Sequence, residues 1–436
     1  MTARRFAVAL GIVVFGALAL RVVYTVAVTA HPEDHPYDEL YYVAQSDLVV
    51  SGEGFAKPFV GVPSADHPPL TTLAIVPATA IFGVPSDTLP QRLTMCLIGA
   101  AAVGVIGLLG RRVGGAAVGL TAAVVAAVYP NLFMNDGIVM AEALTALLVA
   151  TVLLLVYRLR DGWSPWVAAG LGLTCGLAAL TRAELVLLVP LVAVPAVLGW
   201  DRSRWKERLA PLGIVVGVAV LTLAPWVIRN ATTFDEPTTL GTGDGAVLLG
   251  ANCDRTYSGR LLGVWSLECS TAVPETKDLS VQAKRQRDAA FDYVGDHLGR
   301  VPVVVAARVG RAFDVFRPFQ TAEFGEAEGR PREAAIVGLV MYWAFVPLAI
   351  YGVVLLRRRR TAVWALLVPF GIVVLVVTLG YGITRFRVPA EPSLVVLASA
   401  ALVVLWRRIR GAEAGDGADQ SDRDGTSSTI EASSSS

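Results

Sequence analysis

Asp38 and Glu39 stand side by side in His31-Pro32-Glu33-Asp34-His35-Pro36-Tyr37-Asp38-Glu39-Leu40-Tyr41-Tyr42, directly after a long apolar run, and His67-Pro68-Pro69 follows downstream. A carboxylate beside a second carboxylate, close to apolar surroundings, is expected to have a raised pKa, and such a group suits general-base catalysis. The plain alternative is a solvated pair in a loop. The flanking tyrosines, Tyr37, Tyr41 and Tyr42, favour a partly buried pocket. Pro68 and Pro69 remove backbone donors and hold the residue before them extended. His67 is therefore either the entry to a rigid helix or a side chain held over the site, and the two roles are compatible.

Three further groups carry charge where apolar sequence surrounds them. Glu142 lies one turn into an apolar run that follows Asn135-Asp136-Gly137. A carboxylate inside a membrane costs about 2.5–3.5 kcal/mol, so it is functional by default; the competing explanation is a helix N-terminus that favours negative charge. Arg182 and Glu184 sit at a hinge between two apolar runs and are expected to pair with each other. Arg385-Phe386-Arg387-Val388-Pro389 places two arginines at the end of a run with no acid until Glu391. Arginine binds phosphate bidentately, which makes Arg385, Arg387 and His67 candidate phosphate ligands; anchoring to lipid headgroups is the alternative for the arginines.

The elements that must position these residues are membrane helices. The chain has 436 residues, 54% hydrophobic and only 17% charged, where a soluble protein would carry about a quarter. Its mean hydropathy is +0.59. The apolar residues are blocked into about ten runs near the length of a span, at about 6–29, 92–110, 114–133, 138–157, 164–181, 183–199, 209–228, 334–356, 361–380 and 388–406. Leu70–Phe82 is short and holds Pro77, so it is either an eleventh span or a helix lying in the interface. The fold class expected is an all-α polytopic membrane protein with additional interfacial helices.

Basic clusters decide the orientation. Arg4-Arg5, Arg111-Arg112, Arg158/Arg160, Arg202/Arg204/Lys206/Arg208, Arg357–Arg360 and Arg407/Arg408/Arg410 all fall on the cytoplasmic side if ten spans start from a cytoplasmic N-terminus. A spanning Leu70–Phe82 would turn most of them outward, so it is assigned to the interface. The first apolar run is too long for a signal-peptide core and has no clean cleavage site, so it is read as an uncleaved span. Both termini are then cytoplasmic, in the cell membrane. Asp38, His67, Asp136, Arg182, Arg385 and Arg387 lie on or near the outer face. Four units are expected: a membrane module at 1–228 whose first outer loop is 30–91, an outer segment of about a hundred residues and mixed structure at 229–333, C-terminal spans at 334–410, and a disordered Gly/Asp/Ser-rich cytoplasmic tail at 411–436. The cytoplasmic loops hold no Gly-rich phosphate loop, so a nucleotide-driven enzyme or pump has no place for its nucleotide. A net charge of +1 gives no reason to expect nucleic acid. Cys96 and Cys175 fall within spans, while Cys253 and Cys269 fall in the outer segment, where an oxidising compartment favours a disulfide over two free thiols.

At these residues the chain resembles the GT-C superfamily of polytopic glycosyltransferases, in particular the family-39 protein mannosyltransferases and the aminoarabinose transferases of lipid A. The resemblance rests on Asp38-Glu39 in the first outer loop, His67-Pro68-Pro69-Leu70 before an interfacial helix, Glu142 opening the fourth span, Thr181-Arg182-Ala183-Glu184, and Arg385-Phe386-Arg387-Val388-Pro389. It covers roughly residues 1–230 and 334–406. Thr71-Thr72 stands where a protein mannosyltransferase would have Gly-Lys, and there is no large soluble C-terminal domain. The resemblance implies a sugar donor linked to a polyprenyl phosphate, an inverting reaction with Asp38 as the base and Glu39 beside it, supporting roles for Glu142, Arg182 and Asp136, and a lipid, glycan or protein acceptor. No cofactor and no metal site are expected, since no tight cluster of Asp and His ligands is present. The competing class is a transporter or lipid-linked-sugar flippase, which would favour inverted repeats and charges at mid-membrane.

Overall fold

A computed structural model describes residues 1–29, 37–199 and 209–430, without the side chains of Tyr37 and 411–430. His31–Pro36 of the acidic stretch, the Arg202/Arg204/Lys206/Arg208 cluster and the last six residues lie outside the described residues. In chain order the helices are α1 (Ala3–Tyr24, continued by a π-turn Thr25–Thr29), α2 (Tyr37–Val50), α3 (Leu70–Phe82), α4 (Thr88–Gly114), α5 (Ala116–Val128), α6 (Pro130–Asp136), α7 (Ala141–Asp161), α8 (Pro165–Thr181), α9 (Val194–Leu198) and α10 (Leu209–Thr233). There follow α11 (Asp244–Ala251), α12 (Asp254–Tyr257), α13 (Leu267–Ser270), α14 (Leu279–Asp296), α15 (Val301–Ala312), α16 (Pro318–Glu326), α17 (Arg332–Arg358), α18 (Trp364–Leu379) and α19 (Glu391–Ile430). The final helix runs on through the stretch expected to be disordered. Among the described residues there is no strand beyond one isolated bridge, Ala56 to Pro63.

Among the described residues six helices are long and apolar enough to cross a membrane, and seven if α5 and α6 form one bent span. Four of the apolar runs expected to span are shorter or broken: α8 has 17 residues, α18 has 16, residues 183–198 are split into 3-10, π and α turns, and α5–α6 bends by 57°. The bend has a local cause. Pro130 opens α6, and a residue before proline is driven extended, as Tyr129 is at ψ 114°. The protein is a multi-pass membrane protein.

Helices α7 and α19 form the centre: 78% of the spanning window is buried in each, against 17% in α10. α4 and α5 approach closely because small residues face each other; a Cβ on Gly119 would lie 2.6 Å from the Gly107 carbonyl. α3 does not run down α4. Thr72, near its start, donates to Gln45 of α2, and Thr79, near its end, meets both Ser46 of α2 and Gln91 in the first turn of α4. Both ends of α3 therefore stay at one end of the bundle.

Residues of the described basic clusters gather at the other end. The Arg111 guanidinium lies over the Phe6 ring, 4.4 Å from its centroid. Arg112 pairs with Asp161, two helices away. Tyr157 donates to the Ala362 carbonyl at 2.6 Å. Gly114, Arg359 and Arg407 line one small cavity. Helix ends from four quarters of the sequence thus carry their arginines to one surface.

Candidate functional site

Asp38 and Glu39 open α2, where successive side chains diverge by about 100°. That divergence separates the pair. Glu39 is fully buried: Arg92 of α4 clasps it with Nε–Oε1 at 2.8 Å and Nη2–Oε2 at 2.5 Å, and the Val139 amide donates to Oε1 at 2.9 Å. Arg92 also donates to the Thr29 carbonyl. Glu39 fastens α2 to α4 and to the entry of α7.

Asp38 turns the other way. Its Oδ2 accepts from Arg385 Nη1 at 2.9 Å, joining residues 347 positions apart. Arg385 Nε lies 3.3 Å from Glu328 Oε1, and Nη2 donates to the Tyr381 hydroxyl at 3.3 Å. One guanidinium is shared by two carboxylates and a phenol. Burial by itself would raise the Asp38 carboxyl, but Arg385 foremost, then His67 and Arg182, hold it below the ordinary carboxylate value. The raised pKa expected from the neighbouring carboxylate is corrected here: Glu39 faces away, and cations surround Asp38. Glu328 behaves oppositely. Burial pushes it up, and Arg385 and Arg330 only partly offset that.

His67 packs edge-on to Tyr41 and tilted on Tyr42, with centroids 5.0 and 4.9 Å apart, so it does stand near Asp38. Glu142, in the first turn of α7, accepts from Arg182 at 3.0 Å, and Arg182 also binds Glu184 at 2.7 Å. The Arg182 guanidinium lies over Phe386, 4.9 Å from its centroid. Glu142, Arg182, His67, Asp38 and Arg385 therefore meet at one end of the bundle, contributed by α2, the loop before α3, α7, the α8 hinge and the turn Thr384–Ala390.

Two expected members are elsewhere. Arg387 is fully buried and points away from Asp38: it binds Asp314 at 2.6 Å, Glu391 at 2.7 Å and the Ala312 carbonyl at 3.0 Å, and its guanidinium lies 3.5 Å from the Tyr342 centroid. Asp136 pairs with Arg21 of α1 at 2.7 Å, and that arginine also donates to the carbonyls of Ala17 and Ala127. Both are buried structural pairs. Cys253 and Cys269 are joined by a disulfide, with Cα atoms 6.3 Å apart.

Four site residues were not anticipated: Glu328, Arg330, Tyr381 and, as a structural partner, Arg92. Arg330 is 6% exposed, and its Nε and Nη2 have no hydrogen-bond partner among the described residues. It stands just before α17, where the helix N-terminus disfavours a cation. Its neighbours Glu328, Gly329, Pro331 and Arg332 are charged or turn-forming, so nothing in the local sequence singles it out. Oε2 of Glu142 and Oε2 of Glu328 are likewise unpartnered. Among the described residues no three His, Cys, Asp or Glu side chains group as a metal site.

A family profile described as dolichyl-phosphate-mannose-protein mannosyltransferase matches residues 66–228, less than half of the chain. The apo crystal structure of the Archaeoglobus fulgidus oligosaccharyltransferase superposes with a TM-score of 0.58 at 15% identity, covering 96% of this chain and 52% of that one. The archaeal oligosaccharyltransferase AglB from Archaeoglobus fulgidus, in complex with an inhibitory peptide and a dolichol-phosphate, gives 0.56 at 16% identity over the same shares. ArnT from Cupriavidus metallidurans, bound to undecaprenyl phosphate, gives 0.42 at 14% identity, covering 92% of this chain and 78% of that one, too loose a match to carry an argument. A sequence search of curated proteins found no match. The chain spans about half the length of the oligosaccharyltransferase it superposes on. It shares its fold with part of the archaeal oligosaccharyltransferase.

Proposed function

We propose that this chain transfers a sugar from a polyprenyl-phosphate donor to a lipid, glycan or protein acceptor at the outer face of the membrane, with inversion at the anomeric carbon. The observation that carries the reading is Arg385, a cation shared between Asp38 and Glu328 at the end of the bundle opposite the basic clusters. The positive-inside bias makes that end the outer one. Nucleotide sugars are not supplied there, so a lipid-borne donor is required.

In the reaction the acceptor hydroxyl attacks the anomeric carbon. Asp38 takes the hydroxyl proton, the new glycosidic bond forms, and the bond to the phosphate oxygen breaks. The polyprenyl phosphate leaves with the bonding pair. Arg385, with Arg330 and its two unpartnered nitrogens, stabilises that charge. Donor binding also alters the base. When the phosphate engages Arg385, Asp38 loses its strongest cation and its carboxyl rises toward the range of an effective base. A transporter would be better served by charges strung through mid-membrane, and the cluster described here sits at one end.

The test uses purified full-length protein in lipid vesicles with a panel of polyprenyl-phosphate sugars, following loss of the lipid donor. Consumption of one donor by wild type, abolished in Asp38→Asn, is the expected result. Consumption that survives both Asp38→Asn and Glu328→Gln would remove the reaction from this site.

A further inference from the structure

The disulfide-closed stretch 253–269 is built against the turn that carries Arg385. The Gly382 amide donates to the Gly263 carbonyl at 2.8 Å. Gly263 has φ +80°, and a Cβ there would meet the α15 backbone, so the close approach needs glycine. Trp265 packs against Gly250, where an added Cβ would fall 2.1 Å from its Nε1, and that nitrogen donates to the Ala246 carbonyl at 3.0 Å. The indole also meets the Tyr381 ring, with centroids 6.3 Å apart. Tyr381 packs edge-on to Phe386 at 4.7 Å and takes a hydrogen bond from Arg385 Nη2. Ala251, Tyr381 and Ile383 form a small core that Trp265 and Phe386 complete. Arg308 of α15 bolts the two stretches together, donating to Ala251 and Asn252 on one side and to the Thr378 carbonyl on the other.

We propose that Trp265 and Tyr381 are positioning residues for Arg385, and that the Cys253–Cys269 bridge holds Trp265 in the place this requires. The chain of contact is disulfide loop, indole, phenol, guanidinium, carboxylate. It aims Arg385 Nη1 at Asp38 rather than leaving the long side chain free to adopt other rotamers, which an arginine otherwise populates at little cost. The proposal rests on the reading of Arg385 as the donor-phosphate ligand, but its geometry can be tested apart from that reading.

Four full-length proteins in lipid are compared: wild type, Tyr381→Phe, Trp265→Ala, and the double variant Cys253→Ser with Cys269→Ser. Each is first shown to be monodisperse by size exclusion. Tyr381→Phe removes one hydroxyl and keeps the ring, so it serves where the larger changes do not fold. The first readout is the rate at which phenylglyoxal modifies Arg385, followed by mass spectrometry. It needs no turnover. The rate should rise several-fold in all three variants, because the guanidinium is released from its phenol and its rotamer. The second readout is donor KM against kcat. KM should rise by about tenfold, the scale of one hydrogen bond to a charged group, with kcat changing less. An unchanged modification rate at Arg385 in folded Tyr381→Phe and in the folded cysteine variant would overturn the proposal, whatever the activity. Faster modification together with unchanged donor KM in an active enzyme would also overturn it. A wild type that consumes no lipid donor, with Arg385 still exposed by the variants, would instead sink the proposed function and leave the positioning intact.

Discussion

Two doublets in this chain split in the same way. Glu39 is fully buried and answered by a bidentate arginine and a backbone amide, while Asp38, one residue earlier, is 28% exposed and hydrogen-bonded to one shared cation, Arg385. Arg387 is fully buried between two acids and a tyrosine ring, while Arg385, two residues earlier, spans acids from opposite parts of the chain. In each doublet one member is fully buried in an ion-pair network and the other is partly exposed. A fully buried ion pair holds helices together, and breaking it strands a charge. A pair that is partly solvated and shared can release one partner when a ligand anion arrives. Chemistry is assigned to the second kind.

The largest expected effect breaks this contrast at its most exposed member. Asp38→Asn keeps size and removes the base, and transfer should fall by about 10²–10⁴-fold with the protein still folded and donor still bound. The measurement is turnover beside donor binding on the same preparation. An Asp38→Asn enzyme that turns over normally would end the assignment of Asp38.

The next effect falls on stability rather than turnover. Glu39→Gln or Arg387→Met removes half of a buried pair and should cost about 3–5 kcal/mol, seen as lost folded yield and a lower unfolding temperature in detergent. If either variant is as stable as wild type yet catalytically dead, the division drawn between the members of its doublet is wrong.

Arg385→Lys sharpens the phosphate role. It keeps the charge and loses the planar fork. With a hydrogen bond to a charged group worth about 1.5–3 kcal/mol, donor KM should rise by about 10–100-fold. Unchanged donor affinity in this variant and in Arg385→Ala would return the residue to a headgroup anchor.

The acid limb of the pH profile separates the two carboxylates. In the donor-free protein Asp38 lies below its ordinary value, so kcat/KM, which reports the free enzyme, should persist below the usual carboxylate range and fail only as Asp38 protonates. Arg385→Gln removes the largest lowering influence and leaves burial, which raises, so the limb should move to higher pH. Were Glu328 the base, the wild-type limb would already lie above the ordinary glutamate value, because burial raises that group.

Much of the site was legible because its residues break local rules. Glu142, Arg182 and Arg385 are charges against apolar sequence, and His67 is marked by two prolines. The splitting of the doublets was not legible. Asp38 and Glu39 have the same chemistry, and only the phase of α2 against α4 and α7 decides which meets Arg92. Arg385 and Arg387 differ only in which side of a 3-10 turn they occupy. Glu328 lay hidden in Glu323-Phe324-Gly325-Glu326-Ala327-Glu328-Gly329-Arg330, where three acids look alike until the fold carries one of them to Arg385. The helices were legible from apolar runs, and α3 has the bounds of its run, but other lengths were less so: α8 and α18 have 17 and 16 residues, and residues 183–198 break into short turns.

The smallest expected effect lies at the far end of the bundle. Arg112 and Asp161 form an ion pair with both side chains substantially exposed, so Arg112→Cys should cost at most about 1 kcal/mol. That tolerance makes the position a reporter. Cys96 and Cys175 are buried, and Cys253 and Cys269 are bridged, so the background for thiol labelling is low. A cysteine at Arg112 should be shielded from an impermeant maleimide in intact cells and react after permeabilisation, while one at Phe59, which is 90% exposed in the loop leading to His67, should react at once. Labelling at position 112 from outside would turn the Asp38–Arg385 end toward the cytoplasm. Nucleotide sugars are available there, and the need for a lipid-borne donor, though not the split between the doublets, would fall with it.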